Sequence, residues 1–251
     1  MRTVLSTLAL AATATLAAAS TTTLTVTPAE ATLPTCFGRT VTIMGTAGPD
    51  VLVGTEDVSD VIYGGGGNDR LAGSEDFYDL GTAPDYLCGG PGDDVLLGSN
   101  GNDRLNGGDG DDFVNGNRGD DVEQGNAGND TVGRGSCDDG CDWGNDIVRG
   151  QGGTDRLLSA GGTDKLYGGP GPDTLIDTEC GGGVMNGGGG NDYIQSAWSS
   201  LSGGYDCTSE GGRADHVYGG TGIDNADLDM IDVVKAVETV TRHVSPDGGY
   251  N

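Results

Sequence analysis

Aromatic residues make up 5% of this chain and hydrophobic residues 34%, so its 251 residues cannot assemble a conventional apolar core. Basic residues are scarcer still. Lys and Arg number 12 against 39 Asp and Glu, a formal net charge of −27, which excludes nucleic acid as a partner and makes a compact body self-repelling. Only two histidines, His216 and His243, are present, too few for a zinc centre, and there is no C-x-x-C arrangement. The sequence has neither a G-x-S-x-G elbow nor an H-E-x-x-H helix motif, which leaves the common hydrolytic routes without their residues. Past the N-terminal stretch no segment approaches the length of a membrane-spanning helix. Low hydrophobicity with high net charge would by itself read as disorder.

What the chain has in abundance is glycine, 50 residues of it, and the glycines are ordered. A nine-residue phrase recurs between Asp50 and Asp224: a six-residue glycine-rich loop ending in aspartate, then three residues with an apolar one in the middle. The least interrupted run reads GGPGDDVLL, GSNGNDRLN, GGDGDDFVN, GNRGDDVEQ, GNAGNDTVG from Gly89 to Gly133. Glycine at positions one, two and four lets the backbone turn its carbonyl oxygens inward and approach a ligand closely. Aspartate at position six adds a hard carboxylate. Carbonyls and carboxylates together are the donor set of Ca²⁺, which takes six to eight oxygens. One such loop could be an ordinary turn, but repetition in register at this scale identifies a metal-binding array.

The phrase resembles the RTX nonapeptide G-G-x-G-x-D-x-U-x over residues 45 to 227. The resemblance implies an all-β fold: a parallel β-roll, a right-handed solenoid in which two phrases make one turn and successive loops alternate between two edges. Each ion would lie between loops one turn apart, and some eight turns at a strand spacing of about 4.8 Å would give a rod of about 40 Å. The metal ligands expected are Asp50, Asp60, Asp69, Asp85, Asp94, Asp103, Asp112, Asp121, Asp130, Asp146, Asp155, Asp164, Asp173, Asp192, Asp215 and Asp224. About eight bound Ca²⁺ would offset roughly sixteen negative charges and cross-link a body with a thin core, so folding and calcium binding should be one equilibrium. The inward apolar residues should be Leu52, Ile62, Leu71, Leu87, Leu96, Leu105, Val114, Val132, Val148, Leu157, Leu166, Leu175, Met185, Ile194 and Val217. Glu123 falls at this position in one phrase, where a local register shift turning Val122 inward is expected.

Counting phrases from Asp50, every irregularity lies on an even one. The second has an extra residue, the fourth, tenth and sixteenth carry insertions, and the fourteenth lacks its aspartate. The odd phrases, with Asp50, Asp69, Asp94, Asp112, Asp130, Asp155, Asp173, Asp192 and Asp224, should form an unbroken ladder of calcium sites along one edge. The other edge tolerates elaboration. Six cysteines suggest disulfides: Cys180 with Cys207 on adjacent turns of the even edge, Cys137 with Cys141 inside one insertion, and Cys36 with Cys88, tying an N-terminal cap to the second turn.

Residues 1–31, with Arg2, an apolar stretch from Val4 to Ala19 and Ala29-Glu30-Ala31, read as a secretion signal. Residues 32–44 read as an N-terminal cap strand, 45–227 as the roll, and 228–251 as a C-terminal cap strand and polar tail. The expected protein is a secreted, extracellular monomer that binds Ca²⁺, has no catalytic domain and acts by binding or as structure. Two alternatives are a carbohydrate- or cell-surface-binding module presenting Phe77, Tyr78, Trp143, Trp198 and Tyr205 on the elaborated edge, and a glycan-acting enzyme. RTX relatives often join such rolls to enzyme domains and leave the cell by a C-terminal signal, and this sequence departs from both habits.

Overall fold

The computed structural model describes residues 34–74, 82–133, 144–178, 182–196, 216–228 and 233–242. The chain divides between Thr32 and Leu33, and the architecture below is that of the second unit. A short hairpin of β1 (Thr35–Cys36) and β2 (Arg39–Thr40) precedes β3 (Ile43–Met44), β4 (Val51–Val53), β5 (Val61–Tyr63) and β6 (Arg70–Ala72). Then come β7 (Tyr86–Pro91), β8 (Val95–Asn100), β9 (Arg104–Asp109), β10 (Phe113–Arg118), β11 (Val122–Ala127) and β12 (Thr131–Gly133). The second half supplies β13 (Ile147–Gly152), β14 (Arg156–Ser159), β15 (Lys165–Pro170), β16 (Thr174–Asp177), β17 (Val184–Gly189) and β18 (Tyr193–Gln195). It closes with β19 (His216–Thr221), β20 (Asn225–Leu228), β21 (Val233–Lys235) and β22 (Thr239–Arg242).

From β3 onward each strand pairs with the strand two places away, so the even-numbered strands β4 to β22 form one ten-stranded sheet and the odd-numbered strands β3 to β21 another. Pairing within both sheets is parallel. This is a parallel β-roll with two phrases per turn. The connections from odd to even strands carry the odd phrases and are described throughout. Those from even to odd strands carry the even phrases, and the residues outside the description between β6 and β21 all fall there. The regular and elaborated edges of the sequence are thus opposite edges of the roll. Strand pairing continues beyond residue 227, where β21 and β22 extend the two sheets.

Several strands are six residues long, three more than the phrase suggests. In these, pairing resumes at positions two and three beyond the glycine at position one: Leu97 faces Asn115 and Ser99 faces Asn117, with the intervening glycines unpaired. Four residues that replace glycine at position two, Ser99, Asn117, Asn126 and Gln151, keep its positive φ. Side-chain hydrogen bonds between turns hold two of them, Asn126 Nδ2 to Asn106 Oδ1 at 2.8 Å and Gln151 Nε2 to Asn126 Oδ1 at 2.6 Å.

The position-eight residues from Ile62 to Val217 stack as one buried column, with Leu52 partly buried against it. One residue per phrase is a narrow core, and no helix covers either sheet among the described residues. Glu123 corrects the expectation of a shifted register. It pairs with Leu105 and Val148 in unbroken register and is buried at 3% exposure, while Val122 stays half-buried on the outer face. The carboxylate enters the core.

The N-terminal hairpin packs on the outer face of the odd-numbered sheet. Cys36 and Val41 bury Val61 and Tyr86 beneath them, the Phe37 ring meets Tyr86 edge-on at 6.3 Å, and the Arg39 guanidinium lies 4.0 Å from the Tyr86 ring centre. A disulfide joins Cys36 to the outward-facing Cys88 of β7, with Cα atoms 5.9 Å apart. Cys137, Cys141, Cys180, Cys207 and the aromatic residues of the insertions lie outside the described residues.

Candidate metal centre

Each described phrase aspartate sits at the inner corner where a loop enters a strand, and from the second turn onward its two oxygens have different fates. Oδ1 accepts a hydrogen bond from the backbone N–H of the aspartate one turn earlier. On the regular edge this relay runs from Asp50 N–H to Asp69 at 2.8 Å, through Asp94, Asp112, Asp130, Asp155, Asp173 and Asp192, to Asp224 at 3.0 Å. On the elaborated edge it runs from Asp60 through Asp85, Asp103, Asp121 and Asp146 to Asp164. Asp215 lies outside the described residues.

Oδ2 is the informative atom. In Asp69, Asp94, Asp112, Asp130, Asp155, Asp173, Asp192 and Asp224 on the regular edge, and in Asp103 and Asp121 on the other, it is buried and makes no hydrogen bond. An ionised oxygen sealed from water without a partner is costly. A cation removes that cost. The space beside each oxygen is kept open by the glycine at position one: a Cβ on Gly89 would overlap Asp94 Oδ2 and come 2.6 Å from the carbonyl oxygen of Gly107 in the next turn. The same holds at Gly64, Gly168 and Gly187 with Asp69, Asp173 and Asp192. The cradle therefore offers carboxylate and carbonyl oxygens and little else, a donor set suited to Ca²⁺. No cluster of three acidic, histidine or cysteine side chains occurs among the described residues. That fits a rung whose ligands are mostly backbone.

Burial drives the carboxyl groups toward the neutral form. Desolvation raises Asp94 and Asp130 to about 6, and Asp85, Asp103, Asp112 and Asp173 to about 7, against the lowering effect of the N–H each accepts. Asp69, Asp155 and Asp192 are raised for the same reason. Asp121 is pushed up to about 10, first by desolvation and then by the charge of Glu123. A column of carboxylates so poorly solvated needs protons or metal ions to remain folded.

The family described as RTX calcium-binding nonapeptide repeat (4 copies) matches residues 44–77, 89–123 and 142–175. These are RTX calcium-binding repeats. No curated protein matches the chain. The acidic repeats and two-sheet roll are those of a calcium-binding β-roll structural protein.

Three features escaped the sequence reading. In the first turn Thr46 donates its N–H and hydroxyl to Asp50 Oδ2, at 2.6 and 2.8 Å, and Thr55 does the same for Asp60 at 2.7 and 2.8 Å, so these rungs are closed by hydrogen bonds. At the far end Glu238 Oε2 accepts from Asp224 N–H at 2.7 Å and ends the regular relay. Position five forms a second relay in the opposite direction, in which Asn68, Asp93, Asp111 and Asn129 accept from the N–H one turn later. It breaks at Thr154, whose counterpart in the next turn, Pro172, has no N–H to give, and reappears where Asn191 accepts from Ile223 N–H. Threonine at position two and Asx at position five were visible signals, the first legible only from the loop conformation within its phrase and the second only once neighbouring turns were known.

Proposed function

We propose that the protein is a secreted calcium-loaded roll whose action is structural or binding and which has no catalytic role. Folding and calcium loading form one equilibrium. The observation that carries this reading is the unbroken column of buried, hydrogen-bond-free Oδ2 atoms along the regular edge, from Asp69 to Asp224. The ligands proposed are those aspartates with Asp103 and Asp121, each completed by backbone carbonyls of its own and adjacent loops. Bound calcium would supply the counter-charge that a net charge of −27 requires.

An extracellular setting supports the reading, because dissociation constants of about 10⁻⁴–10⁻³ M are common for extracellular calcium modules and millimolar calcium would fill them. The Cys36–Cys88 disulfide is of the kind that persists in oxidising compartments. The test is circular dichroism of the mature chain with and without chelator. The expected result is loss of the β spectrum in chelator and cooperative recovery on adding calcium. An unchanged β spectrum in excess chelator would overturn the proposal.

A further inference from the structure

Glu123 is the one charged residue in a column otherwise built of Leu, Ile, Val and Met from Ile62 to Val217. Leucine would satisfy the fold at this point. Instead a carboxylate enters the core between Leu105 and Val148, its neighbours in register. It does not stay among them. Glu123 Oε1 accepts a hydrogen bond from the N–H of Gly116, the position-one glycine of its own phrase. That same glycine holds the space beside Asp121 Oδ2, since a Cβ on Gly116 would overlap the oxygen. The other Glu123 oxygen lies 3.4 Å from where a Cβ on Gly133 would stand, one turn further along. Asp121 is 1% exposed, and its Oδ2 is buried without a hydrogen bond.

We propose that Glu123 is a cation ligand, and that with Asp121 Oδ2 it makes one rung of the elaborated edge a two-carboxylate calcium site. The proposal rests on the calcium reading of the repeats and adds a ligand from a position that the nonapeptide reserves for an apolar side chain. The geometry is that of a long side chain reaching back from position eight to the loop that the position-six aspartate already faces. Two inward carboxylates two residues apart, one just before β11 and one within it, repel each other in an apolar surround, and a divalent ion between them removes the repulsion. No described rung of the regular edge has a second carboxylate at position eight, where its residues are apolar. Calcium affinity rises with the number of charged ligands, so this site should bind more tightly than its neighbours.

The test compares wild type, Glu123→Gln, Glu123→Leu and Asp112→Asn in the full mature chain. Equilibrium dialysis against Ca²⁺ gives the number and affinity of bound ions, and circular dichroism gives the folded fraction. Glu123→Gln keeps an acceptor for Gly116 N–H and removes only the charge. The expected result is that Glu123→Gln and Glu123→Leu, folded in millimolar calcium, lose one ion or bind it about tenfold more weakly. Asp112→Asn should keep that ion and weaken a different one. A Glu123→Gln isotherm that superimposes on the wild-type isotherm overturns the assignment, whether or not Glu123→Leu folds. A wild-type chain that binds no calcium overturns the parent reading, and this one with it.

Discussion

The two edges of the roll share their strands, their inward column and their aspartate relay, yet they treat position one differently. The regular edge has glycine there without exception, at Gly45, Gly64, Gly89, Gly107, Gly125, Gly150, Gly168, Gly187 and Gly219. The elaborated edge has Gly54, Gly73, Gly98 and Gly116 in its first half, then Ser159, Asp177, Ser196 and Leu228 in its second, all at most 5% exposed. Buried hydrogen-bond-free Oδ2 atoms occur in eight turns in succession on the regular edge and, among the described residues of the other, in Asp103 and Asp121, which face Gly98 and Gly116. Strand pairing alone does not make a metal rung. Every buried, hydrogen-bond-free Oδ2 stands behind a position-one glycine, whose missing Cβ leaves the space that a cation would need.

Acidification should have the largest effect, because it acts on every shifted aspartate together. Raised folded-state values mean that the calcium-free fold binds protons more tightly than the unfolded chain, whose aspartates titrate near 4. Protonation therefore stabilises the calcium-free fold at low pH, and that contribution is lost as pH rises through about 6 to 7. Calcium competes for the same oxygens, so its affinity should fall as pH drops through that window. We expect the calcium midpoint, followed by circular dichroism, to rise about tenfold or more between pH 8 and pH 5.5. A midpoint independent of pH would show that the Oδ2 atoms are not the ligands.

Next in size is a matched pair at position one. Gly168→Ala places a methyl group against Asp173 Oδ2 and the Gly187 carbonyl of the next turn. It should cost about 2–4 kcal/mol in saturating calcium, whether through backbone displacement or a lost ion. Ser159→Ala, at the same position on the elaborated edge, only removes a buried hydroxyl that makes no hydrogen bond. That change should fall within about 1 kcal/mol of wild type and could be stabilising. Denaturant melts in calcium decide the matter, and equal losses would erase the distinction between the edges.

The finest comparison removes one charge from each edge. Asp112→Asn, in the middle of the regular ladder, should raise the calcium midpoint about two- to fivefold. Asp164→Asn, whose loop begins at Ser159, should change it by less than about twofold. If Asp164→Asn proves the more damaging, calcium occupies the second half of the elaborated edge despite its filled position-one sites.

The phrase period was enough to read the roll, the inward column and the division of loops between two edges, because nine residues set one loop and one short strand wherever they recur. It also marked the aspartates that line the loop corners, since they recur at one position of the phrase. The extra three residues of strand, the threonine closures at Asp50 and Asp60, the Glu238 terminus and the relay through position five were not readable in that way. The Glu238 terminus and the position-five relay depend on partners 14 to 25 residues away along the chain, which become neighbours only when the turns stack, whereas the threonine closures lie within one phrase and depend on how its loop is folded. Glu123 shows the division most sharply. By sequence it is an exception to an apolar rule, for which a shifted strand was the simplest remedy. In the folded chain the ladder of strand hydrogen bonds on both sides holds the register fixed, so the carboxylate is carried inward and set on the N–H of Gly116, the glycine that faces Asp121. The sequence alone determined which atoms could bind a cation, through residue type and period. The tertiary structure decided which of them are buried, which are already satisfied by hydrogen bonds and which still lack a partner, because those properties belong to neighbouring turns and not to any single phrase.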